Sequence, residues 1–354
     1  MISVLRIWYN RHFSDPQAVI LALMLIFGFA LVLLMGRVLT PLIAAVVIAY
    51  VLEGAVHKLC LLKIPHVIAV CFVVLSFVLL LLVFMLGLSP LITKQLSQFF
   101  TEMPAMLNKG QQLLMALPEN YPFISESQIQ DVVKQINNEL ASIGQTVVSK
   151  SLASVVNIFT IMIYMVVVPL LVFFFLKDKE KIMQWMSRFL PSKDGLAGEV
   201  WKEVDIKIGS YIRGKFIEIG IVAVATFIPL QILGLQYAAL LSFFVGLSVI
   251  IPYVGALAVT IPVALLAYLQ FGSGSEFLYI MLAYGIVQFL DGNLLVPLLF
   301  SEVVNMHPAA IIISVLVFGG LWGVWGVFFA IPLATLIQAV INAWPAEQQE
   351  KDLT

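Results

Sequence analysis

Asp291 stands in an apolar stretch bounded by Lys215 and Lys351, with no Lys or Arg between them. A charged side chain at bilayer depth costs about 2.5–3.5 kcal/mol on insertion scales, so such a residue is a functional candidate by default. With no cation in its own stretch, Asp291 has three outlets. It is protonated, it reaches a basic residue elsewhere, or it faces water, a cation or a substrate. Gln288, Asn293, Ser301, Glu302, Asn305 and His307 surround it in sequence. Gln288 and Asp291 are three positions apart and share a helix face. Asn293 projects to a different side, where Gly292 loosens the helix. Pro297 has no N–H to give, which frees a carbonyl one turn back to bind something. This pattern suits a polar path for a proton, a cation or a hydrophilic solute. The structural alternative is hydrogen bonding between helices with Asp291 neutral, but a buried carboxyl is a costly way to join helices, and the path is the favoured reading.

Other chemistry is poorly served. The histidines His12, His57, His66 and His307 are scattered, and no HExxH, phosphate-cradling glycine loop or nucleophile elbow is present. The glycines at 319–326 lack the following Lys that a nucleotide loop needs. No catalytic group, metal ligand set or cofactor site is therefore expected, and the chain reads as a non-enzyme. Cys60 and Cys71 are too few and too close for a disulfide framework or a zinc site.

The elements that must hold Asp291 follow from composition. Hydrophobic residues make up 62% and charged residues 11% of the 354 positions, against about 45–50% and about 25% in soluble domains. An all-α polytopic membrane protein fits, with the lipid bilayer as its first partner. A net charge of −1 gives no electrostatic case for nucleic-acid binding. Apolar runs long enough to span occupy 17–36, 38–56, 67–88, 155–176, 217–234, 237–271, 277–300 and 308–342, about eight membrane segments. The first follows Arg6 and Arg11 and exceeds a signal-peptide core of about 7–15 residues, so it is read as retained.

Two polar segments divide the chain. The expected organisation is 1–88 for membrane segments 1–3, 89–153 for an extracytoplasmic helical insertion, and 154–176 for segment 4. A cytoplasmic amphipathic linker at 177–216, segments 5–8 at 217–342 and a cytoplasmic tail at 343–354 complete it. Nine Lys and Arg residues within 177–216 place that segment in the cytoplasm, which puts both termini there too. In the insertion, Leu96, Phe99, Met103, Leu107, Leu114 and Leu117 follow helical spacing, as do Ile129, Val133, Ile136, Leu140, Ile143 and Val147. They form either a lid or assembly collar, or a cap packed on itself. Glu53, Asp178, Arg213 and Glu218 stand at predicted span ends, as interfacial anchors or as charge partners within the bundle.

Regions 237–271 and 308–342 are too long for one crossing and too short for two. The first breaks near Pro252 and Gly255, the second at Gly319, Gly320, Gly323 and Gly326. Related strings follow each break, around Pro262 and around Pro332. A span followed by a broken region thus occurs twice, about 70 residues apart, and repeated Gly/Pro-broken helices point to transporter binding sites. Both regions are re-entrant hairpins or both are broken crossings, and either choice leaves the C-terminus in the cytoplasm. The breaks serve as substrate lining or hinges, or as static kinks.

The string from Asp291 through Gly292, Asn293, Leu294, Leu295 and Val296 to Pro297, then His307-Pro308 and the run from Phe318 to Pro332, resemble the bacterial autoinducer-2 exporter family. Phe174-Phe175-Leu176-Lys177-Asp178, Tyr211-Ile212-Arg213-Gly214-Lys215 and Ile251-Pro252-Tyr253-Val254-Gly255 add to the likeness, which covers essentially the whole chain. One departure is Glu53-Gly54-Ala55, where many relatives carry a proline near the acid. The resemblance implies a bacterial inner-membrane protein with an extracytoplasmic insertion between the third and fourth segments, assembled as a homo-oligomer, with pentamers described. It also implies export of a small polar solute, autoinducer-2 in some relatives, or sodium/proton antiport in others. A non-transporting membrane scaffold is the reading from a different class.

Overall fold

Long apolar runs with few helix breakers leave the backbone one way to satisfy its hydrogen bonds inside a bilayer, and that way is the α-helix. The computed structural model describes residues 16–115, 131, 134, 135, 154–188, 196–300 and 306–343, and no strand occurs among them. Most of the expected second insertion helix, the stretch 301–305 and most of the tail lie outside the described residues.

The elements are α1 (Pro16–Leu61), α2 (His66–Val83), a π-helical turn (Phe84–Leu88), α3 (Ser89–Met115), α4 (Ser154–Lys177), α5 (Lys179–Met186) and α6 (Leu196–Ile232). After these come α7 (Ala238–Ser248), α8 (Val254–Phe271), α9 (Ser275–Leu290), a second π-helical turn (Asp291–Leu295), α10 (Val296–Phe300) and α11 (Pro308–Ala343). Six helices among the described residues are long and apolar enough to cross a membrane, while the apolar helices at Ile163–Lys177 and Ala238–Ser248 are shorter.

Three expected boundaries fall inside continuous helices. Segments 17–36 and 38–56 form one 46-residue helix, α1. At about 1.5 Å per residue it is about 70 Å long, more than twice a hydrocarbon core, so the two segments do not pair antiparallel. A lone Arg37 in an apolar run reads as a loop, yet nothing there breaks the helix. Pro41 deprives the Arg37 carbonyl of its N–H, and one turn back the Thr40 hydroxyl donates to the Gly36 carbonyl at 2.8 Å. Likewise α3 continues α2 directly, and α6 runs through residue 216 without interruption.

The two long broken regions are helical hairpins. In the first, α7 and α8 lie side by side. The Gln270 side chain accepts from the Gln236 N–H at 2.8 Å and donates to the Gly234 carbonyl at 2.9 Å, tying the two ends together. At the tip, Tyr253 has φ 62° and ψ −50°, and the Val254 N–H donates to the Pro252 carbonyl at 2.6 Å. This is a γ-turn of the strained, positive-φ kind. In the second, α11 reverses at Gly323, with φ 63° and ψ −139°. Its limbs return on each other, so that Ala310 and Ser314 share a cavity with Gln338 and Ile341. A Cβ on Gly255 would sit 1.8 Å from the Ser248 carbonyl oxygen, and one on Gly326 would sit 1.8 Å from that of Phe318. Gly255 and Gly326 are 71 positions apart. The sequence repeat is therefore a repeat of fold-backs, each closed by a glycine where only hydrogen fits.

The hub is α6, which packs against α1, α7, α9, α10 and α11. One core joins α1, α2 and α4 through Ala45, Val70 and Val172. A second joins α6 to the first hairpin and α9 through Leu230, Val245, Val263 and Ile280. A third joins α1, α6, α10 and α11 through Val47, Ile212, Phe300 and Ile331. Outward-facing leucines, isoleucines and phenylalanines cover the rest, as a lipid-facing surface requires.

Candidate functional site

Because α6 is enclosed on several sides, one stripe of it is sealed even though another face is exposed. Tyr211, Lys215 and Glu218 repeat at helical spacing and are buried, at 2%, 4% and 2% exposure. The Lys215 Nζ lies 2.5 Å from the Glu218 Oε2 one turn away. That contact is a buried ion pair. The ammonium also donates to the Val249 carbonyl oxygen at 2.9 Å. Val249 caps the C-terminus of α7, where the partial negative end of the helix favours a cation. The Phe300 and Tyr211 rings lie 5.0 and 5.9 Å from Nζ, close enough for cation–π attraction.

Across from this group, Asp291 opens the second π-helical turn. Pro297 explains the turn. An α-helix through this position would drive its ring against the carbonyl four residues back, and a widened turn relieves the clash. The Val296 N–H reaches back to the Asp291 carbonyl instead. Lys215, Glu218, Gln288, Asp291 and Pro297 all line a cavity of about 440 Å³ that the first hairpin's tip borders at Ile251, Pro252 and Tyr253. The Gln288 Nε2 and the Asp291 Oδ1 are buried there without a hydrogen-bond partner. Buried polar atoms are ordinarily paired, so a cluster of unpaired ones beside a cavity suits a polar occupant.

The structure thus brings together Gln288, Asp291, Pro297, Pro252 and Glu218. Asn293 is exposed and donates from its amide to its own helix, at the Phe289 carbonyl 2.9 Å away, so it does not line the cavity. Gly319, Gly320, Gly323 and Gly326 form the bend of the second hairpin, away from the cavity. Pro262 lies within α8 and Pro332 within α11, also outside the cavity lining. The other charge partners belong elsewhere. Glu53 pairs with Lys179, Asp178 with Lys181 at 3.1 Å, and Arg213 donates to the Ser210 hydroxyl at 3.4 Å. His307 accepts from the Ala309 N–H at the start of α11.

Sequence reasoning missed Lys215. It was read as one more positive charge ahead of a membrane segment. The signal was its spacing to Glu218, i and i+3, at the edge of a stretch with no other cation. Among the described residues, Lys215 is the one basic residue that lines the same cavity as Asp291, and its ammonium is already engaged by Glu218 and the Val249 carbonyl.

A family model described as AI-2E family transporter matches residues 20–346. The chain belongs to that family. It is 47% identical over 349 residues to the protein named "Putative permease PerM" of Escherichia coli (strain K12), covering 98% of this chain and 99% of that one. It is 28% identical over 302 residues to "Putative transport protein YueF" of Bacillus subtilis (strain 168), covering 82% of this chain and 80% of the other. Membership in the AI-2E family makes the molecule a membrane protein of a transporter class, and the relatives carry transport names rather than enzyme names.

Proposed function

We propose that this chain is a secondary transporter that exports a small hydrophilic solute, with autoinducer-2 the first candidate, through the cavity at Asp291. One observation carries the reading. Lys215, Glu218, Gln288 and Asp291 converge on a cavity between broken helices, and two of their polar atoms, the Gln288 Nε2 and the Asp291 Oδ1, lack a hydrogen-bond partner. Amide and carboxylate groups there suit a polyhydroxylated solute, and the γ-turn and π-turn supply backbone that is not tied into a regular helix. The two hairpins re-enter the bilayer from opposite faces, because the Ser275–Phe300 span crosses between them, and re-entry is supported by α7, whose 11 residues span about 16 Å, half of a hydrocarbon core. The protein resides in the bacterial inner membrane with its C-terminus in the cytoplasm, and it assembles as a homo-oligomer.

Cation/proton antiport is the second reading, favoured by a charge count. One ammonium faces two carboxylates, so with both ionised the site carries one uncompensated negative charge, which a proton or a cation can neutralise. A non-transporting scaffold would have no use for such a site. Proteoliposomes separate these readings. Wild-type protein is expected to release loaded autoinducer-2 faster than empty liposomes do. Failure to do so, together with sodium- or potassium-dependent proton movement across the same vesicles, would replace solute export with antiport.

A further inference from the structure

The first hairpin is held at both ends by different partners. At the tip, the Lys215 ammonium grips the Val249 carbonyl. At the open end, three side chains of α3 do the holding, and they recur every seven residues, which keeps them on one stripe of the helix. The Gln95 Oε1 accepts from the Leu240 N–H at 2.8 Å, one of the first-turn donors of α7 that no helical carbonyl can serve. The Tyr237 hydroxyl donates to the Glu102 Oε2 at 2.7 Å. Lys109 donates to the Leu269 carbonyl, in the last turn of α8. Beneath them, Leu96, Phe99 and Met106 pack on the hairpin core, with the Phe99 ring edge-on to Tyr237 at 5.6 Å.

The small cavity of about 210 Å³ beside these contacts is not a ligand site, because its polar groups serve one another. Gln270 engages Gln236 and Gly234, Lys109 engages Leu269, and Glu102 engages Tyr237. The far end of the same hairpin has the opposite character. Its tip lines the Asp291 cavity, it carries a bulky aromatic at positive φ, and Tyr253, Val254 and Leu257 are exposed around it. Strain of that kind persists only while neighbours enforce it.

We propose that the first hairpin is a gate over the Asp291 cavity and that α3 is the clasp holding it closed, with Gln95, Glu102 and Lys109 as the catches. The word gate rests on the cavity being the transport path. The mechanical claim does not, because it is read without any solute. Releasing the open end frees the tip about 16 Å away along α7.

Hydrogen–deuterium exchange on the full chain in lipid nanodiscs tests this, since exchange reports the free energy of local opening. In the triple variant Gln95→Leu, Glu102→Leu, Lys109→Met, exchange at the tip peptide 249–256 is expected to rise about 10-fold, the loss anticipated for hydrogen bonds to charged groups. Glu102→Gln alone keeps an acceptor for the Tyr237 hydroxyl and leaves the tip near wild type. A rise confined to residues 92–112 and 234–241, with the tip unchanged, would make α3 a static brace and overturn the proposal. Should the triple variant fail to assemble, Ala105→Cys and Gln236→Cys, which line the cavity at the clasp, are bridged with a short bismaleimide after Cys60 and Cys71 are replaced by Ser. Bridging must slow tip exchange, and an unchanged rate would equally overturn the proposal.

Discussion

The ammonium of Lys215 lies 2.5 Å from the carboxylate of Glu218, both nearly sealed from solvent on the central helix. Losing one partner of a buried pair strands the other charge, at a cost of about 3–5 kcal/mol. Lys215→Met is therefore expected to lower the thermal midpoint sharply in detergent, more than Glu218→Gln does. The double variant should recover part of the loss, because it removes the stranded Glu218 charge and leaves Asp291 as the cavity's one carboxylate among the described residues. Equal effects of all three variants on thermal unfolding would deny the coupling.

The pair between Glu53 and Lys179 is a useful contrast. Both side chains are partly exposed, at 32% and 48%. Pairs of that kind contribute about 0–1 kcal/mol. Glu53→Gln should leave the thermal midpoint almost unchanged under the conditions that expose the Lys215 defect.

Gly255 and Gly326 have no room for a methyl group, with carbonyl oxygens 1.8 Å from where a Cβ would lie. Gly255→Ala and Gly326→Ala should each open a hairpin and lower the yield of folded protein or its melting temperature. Gly320→Ala serves as the control, since nothing lies within 4 Å of its Cβ position. In a helix that change is expected to be neutral or to stabilise by up to about 1 kcal/mol.

Pro297 and the π-helical turn are predicted to rise and fall together. Pro297→Ala restores an N–H donor and removes the ring clash, which lets the turn tighten toward an α-helix. The variant should be at least as stable as wild type. Transport should fall, because a one-residue change of helical register beyond the turn carries Val296 and Phe300 out of their places around the Asp291 cavity. A more stable protein with unaltered transport would show that the widened turn is incidental.

Much of the fold is legible in the sequence, and the gaps have physical causes. Asp291, Gln288 and Pro297 are readable because a carboxylate and a helix breaker in an apolar run contradict their surroundings. The breaks at Pro252–Gly255 and 319–326 are readable for the same reason, although their fold-back geometry is not. A glycine pressed on a carbonyl seven or eight residues earlier looks like any helix-packing glycine. The continuity of α1 through Arg37 was hidden because one charge in an apolar run imitates a loop. Lys215 was hidden by its neighbours, since eight other basic residues between 177 and 213 make it look like part of a solvated face. The stripe of Gln95, Glu102 and Lys109 was overshadowed by the leucines beside it, which carry the stronger periodic signal.

The central claim is that Asp291 lies on the transport path. Autoinducer-2 efflux from proteoliposomes tests it most directly, with wild-type protein and Asp291→Asn reconstituted at matched density and matched thermal stability. The account predicts efflux above empty liposomes for the wild type and its loss in the variant. An Asp291→Asn protein that exports at the wild-type rate would contradict it.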